Sequence, residues 1–357
     1  MTRKIRVLIV DDSLFMRAAI ARTLAGGLAG GRFDIVGQAK DGHDAIAQIA
    51  RLAPDVVTMD FNMPGMTGAD AVRQVMQRRP TPVVMFSAHT RQGAKETFDA
   101  LAAGAVDFLT KPAGEVSVDL SKIADELIRK LVAAAQARPR VANPPPPTRP
   151  SGSFTAMRAL SSTALPAAAA PGNLPRLCVI GISTGGPAAL SELVPALVPE
   201  LRVAVVIVQH MPGGFTAALA ERLDAASRIE VHEAQDGDRP LPGQVLIAPG
   251  DRHLEFDDRG LVMLTDGPPV NGCCPAADVT MQSAARVYGR RALAVVMTGM
   301  GKDGAAGALA IKRADGKTLA QDQATSVIYG MPKAAIDLGA IDEIAALGDI
   351  AAWIRYS

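Results

Sequence analysis

Short, unbroken apolar runs alternate with stretches of helical spacing twice along this chain, and this alternation most constrains its fold. In the first half the runs lie at 5–10, 33–39, 55–59, 82–86 and 106–109. In the second half they include 177–182, 203–208, 244–247 and 292–298, with a hairpin predicted at 253–256 and 260–264. Strands that are apolar on both faces and separated by helices are typical of parallel sheets covered on both sides. The sequence therefore predicts two doubly wound α/β domains.

A proline- and alanine-rich segment separates the two halves. Helical spacing continues over 119–137, after which residues 139–173 include four consecutive prolines at 144–147 and four alanines at 167–170. Consecutive prolines favour an extended polyproline II rod and do not enter packed helices or sheets. An ordered surface loop of this length is uncommon. We therefore predict domains at 3–130 and 174–355, joined over 131–173 by a semi-rigid, partly disordered linker.

Composition limits the functions that this chain of 357 residues can have. A formal net charge of +1 provides no overall field that would attract nucleic acid or an anionic membrane. The cysteines Cys178, Cys273 and Cys274 are too few for a disulfide framework and lack zinc-site spacing. The apolar run at 5–10 ends in two aspartates, unlike a signal peptide, and no run reaches the ~18 residues of a membrane span. A soluble, cytoplasmic protein is expected.

Polar residues follow the predicted strands of the first half. Asp11 and Asp12 follow the first strand, Asp60 the third, Ser87 the fourth and Lys111 the fifth. Since parallel strands end at one edge of the sheet, these side chains should converge there. Three carboxylates need a cation, and oxygen ligands suit Mg²⁺. Asp60 is the natural phosphoacceptor, with Lys111 pairing with phosphoryl oxygens and the Ser87 hydroxyl donating to them.

The alternative for each aspartate by itself is a helix cap, and Ser13 is a plausible N-cap of the first helix. The motifs 10–13, 59–68, 86–88 and 110–112 (VDDS, MDFNMPGMTG, FSA and TKP) together resemble a two-component receiver domain over about residues 3–130. This resemblance implies a flavodoxin-like fold and phosphotransfer from a histidine kinase to Asp60. It also implies Mg²⁺ held by Asp12, Asp60 and the Asn62 carbonyl, with Asp11 in support.

A serine follows the first strand of the second half. The sequence GISTGG at 181–186 places Ser183 on a glycine-rich turn between a strand and a helix. The free amides of a helix N-terminus can stabilise an oxyanion beside such a serine. The motif by itself is equally compatible with other roles, including a loop that binds phosphate.

A base and an acid follow two further strands. His210 ends the next strand, and neighbouring strands lie about 4.8 Å apart, so His210 can reach Ser183. Asp303 lies in a glycine-rich loop after the strand at 292–298 and can orient the imidazole. The alternatives are an isolated imidazole at a loop start for His210 and an N-cap of a helix at 305–312 for Asp303. The order Ser, His, Asp differs from that of α/β-hydrolases.

Several stretches of the second half resemble the catalytic domain of the chemotaxis receptor methylesterase (CheB) family. They are 180–187, 209–215, 248–250, 298–304, 320–322 and 329–335, within about residues 175–350. The resemblance implies a Rossmann-like methylesterase domain with the triad Ser183, His210 and Asp303. It also implies that the Met300 amide assists the oxyanion and that Thr184 lies at the active-site rim.

The resemblance implies phosphorylation-activated hydrolysis of glutamyl γ-methyl esters on methyl-accepting chemotaxis receptors, with glutamine deamidation. The partners are then a chemotaxis histidine kinase and the receptors, without nucleic acid or membrane insertion. The expected protein is a cytoplasmic monomer that is recruited to receptor arrays and needs no cofactor in its catalytic domain. The unphosphorylated receiver would cover the triad until Asp60 is phosphorylated.

One segment departs from that family. After 269–271 a His-Arg-Pro-Ser-like segment is expected, but the chain has Gly272, Cys273, Cys274, Pro275 and Ala276. A structural role for both cysteines is the plain interpretation. A thiol-based redox role is disfavoured, because no nearby residue in sequence would lower a thiol pKa.

Three other functions remain open from sequence. A non-catalytic output that binds DNA or a protein is one of them. Its DNA-binding form is disfavoured, because no basic helix-turn-helix pattern occurs. An inactive enzyme is disfavoured because all three triad residues are present. A receiver-regulated serine hydrolase acting on a protein other than a chemoreceptor remains compatible with the sequence.

Overall fold

A computed structural model describes residues 3–88, 90–111, 120–137 and 174–357. Of the linker predicted at 131–173, residues 138–173 lie outside these ranges. The chain divides into two compact units.

The first unit contains a five-stranded sheet. Its strands are β1 (Ile5–Val10), β2 (Phe33–Ala39), β3 (Val56–Asp60), β4 (Val83–Ser87) and β5 (Asp107–Thr110). Its helices are α1 (Leu14–Ala25), α2 (Gly42–Leu52), α3 (Gly68–Arg78), α4 (Arg91–Ala102) and α5 (Ala124–Ala134), with 3-10 turns at Gly27–Ala29 and Leu120–Ile123. All pairings are parallel, in the order β2-β1-β3-β4-β5. This is the flavodoxin-like order, and it confirms the predicted fold class of this half.

Local sequence explains these elements well. The predicted strands appear, although β3, β4 and β5 each lie one residue later than expected, and α5 runs to Ala134, beyond the predicted domain end at 130. Ser13 Oγ accepts the Met16 amide at 3.3 Å, so Ser13 is the N-cap of α1 as predicted. The register sets Val10 opposite Met59, so the residues that follow β1 and β3 meet at one edge of the sheet.

The second unit contains a seven-stranded parallel sheet and a hairpin. The sheet strands are β6 (Arg176–Ile182), β7 (Val203–Gln209), β8 (Glu230–Glu233), β9 (Gln244–Ile247), β12 (Ala292–Val296), β13 (Lys317–Gln321) and β14 (Glu343–Ala345). The hairpin is β10 (His253–Phe256) with β11 (Val262–Thr265), which pair antiparallel. The helices are α6 (Gly186–Ala196), α7 (Phe215–Ala226), α8 (Ala277–Tyr288), α9 (Ala305–Arg313), α10 (Met331–Asp337) and α11 (Leu347–Tyr356), with a 3-10 turn at Gly289–Arg291.

The order of this sheet creates a crevice at its centre. Strands run β14-β13-β12-β6-β7-β9-β8, so the chain leaves β6 toward β7 on one side and returns at β12 on the other. Ligand sites in open parallel sheets form beyond the carboxyl ends of the strands at such a switch point. Three loops meet there, after β6, β7 and β12. No helix in the described ranges is both long and apolar enough to cross a bilayer.

Candidate functional site

The first unit carries an acidic pocket at the carboxyl edge of its sheet. Asp11, Asp12 and Asp60 each offer a carboxylate oxygen, and these oxygens lie within 4.8 Å of one another. Lys111 Nζ lies 3.1 Å from Asp11 Oδ2 and 2.9 Å from Asp60 Oδ1. The convergence predicted from the strand ends is therefore confirmed for these four side chains.

Burial and the neighbouring charges shift the pKa values of the charged groups in this pocket. Desolvation raises the pKa of Asp60 to about 6, with Lys111 opposing the shift and Asp11 adding to it. Desolvation also raises the pKa of Asp11, again opposed by Lys111. Burial lowers the pKa of Lys111, but the two carboxylates outweigh that effect and raise it. A cation brought to the carboxylates would stabilise their charged forms.

The donor set fits a hard divalent cation. Asp12 is exposed and Asp60 is buried, so the oxygens span the boundary between solvent and the sheet edge. Carboxylate oxygens with room for water are what Mg²⁺ prefers. Asn62 is exposed and follows β3 by two positions, which is compatible with a ligand role for its carbonyl.

Ser87 does not face the acidic pocket through its hydroxyl. Its Oγ donates to the Gly93 carbonyl at 3.0 Å, and the side chain is buried. A hydroxyl carries one proton, so donation to a phosphoryl group on Asp60 would require this side chain to rotate away from Gly93.

In the second unit, Ser183 occupies the turn between β6 and α6. Gly185 has φ 79°, a conformation that favours glycine, and precedes the first residue of α6. The Gly186 amide donates to the Ser183 carbonyl at 2.8 Å and closes the turn. The half-buried Ser183 therefore sits at the positive end of the α6 dipole, where a developing negative charge is stabilised.

Gln209 links this turn to the next strand end. Its buried Nε2 donates to the Ser183 carbonyl at 3.1 Å and to the His210 carbonyl at 3.3 Å. One side chain thus holds both turns in a fixed relation. A β-carbon on Gly186 would lie 1.9 Å from Gln209 Oε1, so only glycine fits beside this link.

Replacing Gly186 by alanine is expected to destabilise the fold by about 1–3 kcal/mol, because the new methyl group displaces a buried amide. Urea unfolding of the two proteins measures the change. Gly348, whose β-carbon would meet nothing within 4 Å, provides the control. Gly348→Ala should be neutral or stabilising by up to about 1 kcal/mol. Equal stability of Gly186→Ala and the original protein would show that Gln209 is free to move.

His210 and Asp303 form a short, buried pair. His210 follows β7, and its Nε2 lies 2.7 Å from Asp303 Oδ2, with exposed side-chain fractions of 10% and 2%. Because a carboxylate accepts, Nε2 carries the proton and donates to Asp303. The ring's other nitrogen, Nδ1, is therefore the one that can act as a base.

Asp303 accepts hydrogen bonds from one end of α8 as well. Its Oδ2 accepts the Ala277 amide at 2.6 Å, and its Oδ1 accepts the Asp278 amide and Asn271 Nδ2, each at 3.1 Å. Gly304, not Asp303, is the residue before α9. The alternative that Asp303 is an N-cap of that helix is therefore wrong. The carboxylate instead binds the free amides of α8, which has no side-chain cap of its own.

These donors keep Asp303 ionised. Desolvation raises its pKa, but the hydrogen bonds and charge of His210 and the two amides outweigh burial, and the pKa is lowered. A charged Asp303 fixes the tautomer of His210 and stabilises its cationic form.

The base nitrogen of His210 faces a cysteine in this structure. Cys273 Sγ lies 3.4 Å from His210 Nδ1, whereas within the described ranges no hydrogen bond joins Nδ1 to Ser183 Oγ. Burial lowers the pKa of His210, but Asp303 and Cys273 outweigh it and raise the pKa to about 9. The imidazole is therefore held mainly in its cationic form near neutral pH.

The two remaining predicted residues, Thr184 and Met300, follow β6 and β12 in the sequence. Thr184 is buried next to Ser183. Met300 lies in the loop after β12 that leads to Asp303, where the Gly299 amide donates to the Ile328 carbonyl at 3.0 Å. Among the described residues the Met300 amide donates to no acceptor.

Sequence reasoning missed three residues of this site. Gln209 was assigned no role, although a glutamine at the end of a buried strand is a signal for a specific hydrogen bond. Asn271 Nδ2 bridges Asp303 to Asp278 Oδ2, the latter at 2.8 Å. Burial raises the pKa of Asp278, and the charge of Asp303 adds to the shift. Neither residue has a local pattern that points to Asp303.

Both halves of the chain match known protein families. The family model for the CheB methylesterase matches residues 178–354, and the model for the response regulator receiver domain matches residues 7–120. A protein-glutamate methylesterase/protein-glutamine glutaminase of Symbiobacterium thermophilum is 45% identical over 349 residues, which cover 98% of this chain and 96% of that protein. The chain belongs to the protein-glutamate methylesterase/protein-glutamine glutaminase family.

Other relatives of this family support the same assignment. The protein of that name from Pyrococcus abyssi is 42% identical, over 98% of this chain and 92% of its own length. The crystal structure of the Thermotoga maritima CheB methylesterase catalytic domain matches with a TM-score of 0.50 at 41% identity. It covers 52% of this chain and 99% of that domain. The predicted receiver and methylesterase-type domains, and the parallel α/β class of both, are confirmed.

Proposed function

We propose that this methylesterase-family chain hydrolyses glutamyl γ-methyl esters on methyl-accepting chemotaxis receptors, using Ser183, His210 and Asp303, and that phosphorylation of Asp60 activates it. The observation that carries the proposal is the 2.7 Å pair of His210 and Asp303, at the sheet edge where β6 delivers Ser183. The relatives' names supply the class of substrate.

The reaction begins with proton transfer from Ser183 to His210 Nδ1. The Ser183 oxygen forms a bond to the ester carbonyl carbon, and the oxyanion is stabilised by the Met300 amide and the α6 dipole. Imidazolium, paired with Asp303, then returns the proton to the departing methoxide, and methanol leaves. Water, deprotonated by Nδ1, hydrolyses the acyl-enzyme and releases the glutamate carboxylate. A glutamine side chain would follow the same path and release ammonia, which is the deamidation reaction.

His210 must exchange partners before this chemistry starts. Its Nδ1 contacts Cys273, and no hydrogen bond links it to Ser183 in the part of the chain described. Catalytic hydrogen bonds often tighten only when substrate is bound. The thiol thus competes with the Ser183 hydroxyl for the base.

The pH profile of ester hydrolysis should report this competition. We expect kcat/KM to rise with pH through the His210 pKa of about 9, because only neutral imidazole accepts the proton. Cys273→Ala removes one group that raises this pKa, so the midpoint should move to lower pH by about one unit. At pH 7 that change corresponds to about tenfold more base form.

The neighbouring cysteine provides a matched control for the pH experiment. Cys274 forms no hydrogen bond with His210 among the described residues, so Cys274→Ala should leave the midpoint in place. An identical profile for Cys273→Ala would contradict the proposed competition.

The first unit provides the switch. The Asp60 carboxylate would attack a phosphoryl group, with Lys111 pairing with its oxygens and Ser87 donating after rotation. Asp12, Asp60 and the Asn62 carbonyl would hold Mg²⁺, with Asp11 in support, and the bound ion would neutralise charge between carboxylate and phosphate. Phosphorylation needs to bias a closed-to-open equilibrium by only a few kcal/mol to change activity strongly.

Asp60→Asn should abolish phosphorylation by acetyl phosphate with Mg²⁺, because the neutral amide lacks the carboxylate that attacks phosphorus. Phosphate-affinity electrophoresis measures the phosphorylated fraction. Asp34, an exposed residue of β2, provides the control, and Asp34→Asn should be phosphorylated normally. Phosphorylation of Asp60→Asn at the original rate would assign the acceptor to another residue.

The substrate is tested by comparing methyl-esterified proteins. Membranes containing methyl-labelled chemoreceptors should release methanol, whereas a chemically methyl-esterified unrelated protein should release far less. A second candidate function, hydrolysis of esters on a protein other than a chemoreceptor, gives the opposite preference. Release from neither substrate by phosphorylated enzyme would overturn the esterase proposal.

A further inference from the structure

Cys273 is held in place by a tight turn. The Val270 amide donates to the Cys273 carbonyl at 3.0 Å, and the Cys273 amide donates back at 2.9 Å. Between them, Asn271 and Gly272 have φ of 54° and 77°, the pattern of a type I′ turn. The Asn271 side chain further ties this turn to Asp303. The position of the thiol is therefore set by the fold.

The thiol of Cys273 faces an imidazole nitrogen that can accept its proton. Sγ lies 3.4 Å from Nδ1 of His210, a proton acceptor whose cation is stabilised on the opposite side by Asp303. A thiol that transfers its proton to such an imidazole becomes a thiolate paired with imidazolium. The raised pKa of His210 agrees with a cationic ring beside sulfur.

The other two cysteines have the opposite surroundings. Burial raises the pKa of Cys274, and the charges of Asp251 and Asp266 raise it further. Cys178 is fully buried within β6, and burial raises its pKa strongly. Among the three thiols, only that of Cys273 contacts an imidazole. The two adjacent cysteines therefore have different surroundings. Cys273 contacts an imidazole, whereas the charges of two carboxylates act on Cys274.

We propose that Cys273 is a site of oxidation by hydroperoxides, and that its oxidation switches off ester hydrolysis by occupying the base nitrogen of His210. The second half of this statement rests on the proposed function, since it requires His210 to be the base for Ser183. The first half depends only on the pairing of thiol and imidazole.

The oxidation step balances with hydrogen peroxide as the oxidant. The thiolate sulfur attacks one peroxide oxygen, so that an S–O bond forms and the O–O bond breaks. The departing hydroxide takes the proton of the His210 imidazolium and leaves as water. Sulfur loses two electrons and becomes sulfenic acid, and the peroxide oxygens gain them.

The product would block the catalytic base. The added oxygen enters the space beside Nδ1, where the Ser183 hydroxyl must bind for proton transfer. Two equivalents of an external thiol reverse the change, since they return Cys273 to its thiol and form water and a disulfide. Oxidation of Cys273 would therefore inhibit the triad reversibly.

The test uses the full chain, limiting hydrogen peroxide and dimedone, a reagent that traps sulfenic acids. Peptide mapping by mass spectrometry should find dimedone mainly on Cys273 and little on Cys274, because Cys273 has an imidazole beside it that can take its proton. Labelling of Ser183 by a fluorophosphonate should fall in parallel, and dithiothreitol added in place of dimedone should restore it. Equal dimedone on Cys273 and Cys274 would overturn the assignment of the site.

Two variants separate the parts of the proposal, each compared with its own untreated sample. Fluorophosphonate labelling of Cys273→Ser should resist peroxide, whereas that of Cys274→Ser should be lost as in the original protein. If peroxide abolishes the labelling of Cys273→Ser at the original rate, inhibition through Cys273 is contradicted. If fluorophosphonate never labels Ser183 in untreated protein, the proposed nucleophile fails, while the dimedone map still decides whether Cys273 is the oxidised thiol.

Discussion

Ser183→Ala is expected to lower kcat for methyl ester hydrolysis by about 10⁴- to 10⁶-fold, because the variant lacks the hydroxyl that the proposed mechanism deprotonates and adds to the ester carbonyl. The remaining rate over uncatalysed hydrolysis would come from the oxyanion donors and substrate binding alone. Methanol release at saturating receptor concentration measures the loss.

The effect should be specific to this serine. Ser191 lies on the exposed face of α6, where its Oγ donates to the Pro187 carbonyl at 2.8 Å. Ser191→Ala should retain activity within about twofold, because exposed substitutions change stability by about 0.5 kcal/mol or less. Both variants should be phosphorylated on Asp60 as the original protein is. Retention of activity in Ser183→Ala would place the nucleophile elsewhere.

Asp303→Asn is expected to reduce kcat by about 10⁴-fold and also to destabilise the second unit. All four partners of the carboxylate are donors: His210 Nε2, Asn271 Nδ2 and the amides of Ala277 and Asp278. If the asparagine points its amide nitrogen toward His210, Nε2 must accept that hydrogen bond. The ring proton then lies on Nδ1, which can no longer act as the base. In the reverse orientation the amide nitrogen faces two other donors, the Asp278 amide and Asn271 Nδ2.

Either orientation leaves buried donors facing one another, which costs about 1–3 kcal/mol. Thermal unfolding should detect this loss alongside the loss of activity. Asp315 is exposed, has φ 60° and follows α9, so Asp315→Asn controls for the amide substitution and should change neither property. A stable, fully active Asp303→Asn protein would contradict its assigned role.

Much of both sites was predictable from the sequence, because the functional side chains follow the ends of strands. Apolar runs located the central strands within about one residue at most ends, and the residues following them meet at the sheet edges. The strand predicted at 292–298 instead ends at Val296, since Thr298 and Gly299 hydrogen bond to Ile328 in a loop. Three sheet strands, β8, β13 and β14, were not predicted. Edge strands such as β8 and β14 are short and polar and lack the apolar run that marks a central strand.

Contacts between distant loops were beyond the sequence. The residues joined at the site are far apart in the chain: Asp303 accepts the amide of Ala277, and Cys273 meets His210 across 63 positions. No periodicity encodes such contacts, because they depend on how α8 and its preceding turn pack against the sheet. The sequence therefore shows no group near the Cys273 thiol, whereas the fold places His210 Nδ1 beside it.

The most direct test of the account is methanol release from methyl-labelled chemoreceptor membranes, measured with and without acetyl phosphate and Mg²⁺. The original protein should release methanol faster with the phosphodonor, whereas Asp60→Asn should hydrolyse at a basal rate that the phosphodonor does not change. Equal stimulation of both proteins, or no release from either with phosphorylation of the original protein confirmed, would contradict a phosphorylation-activated receptor methylesterase.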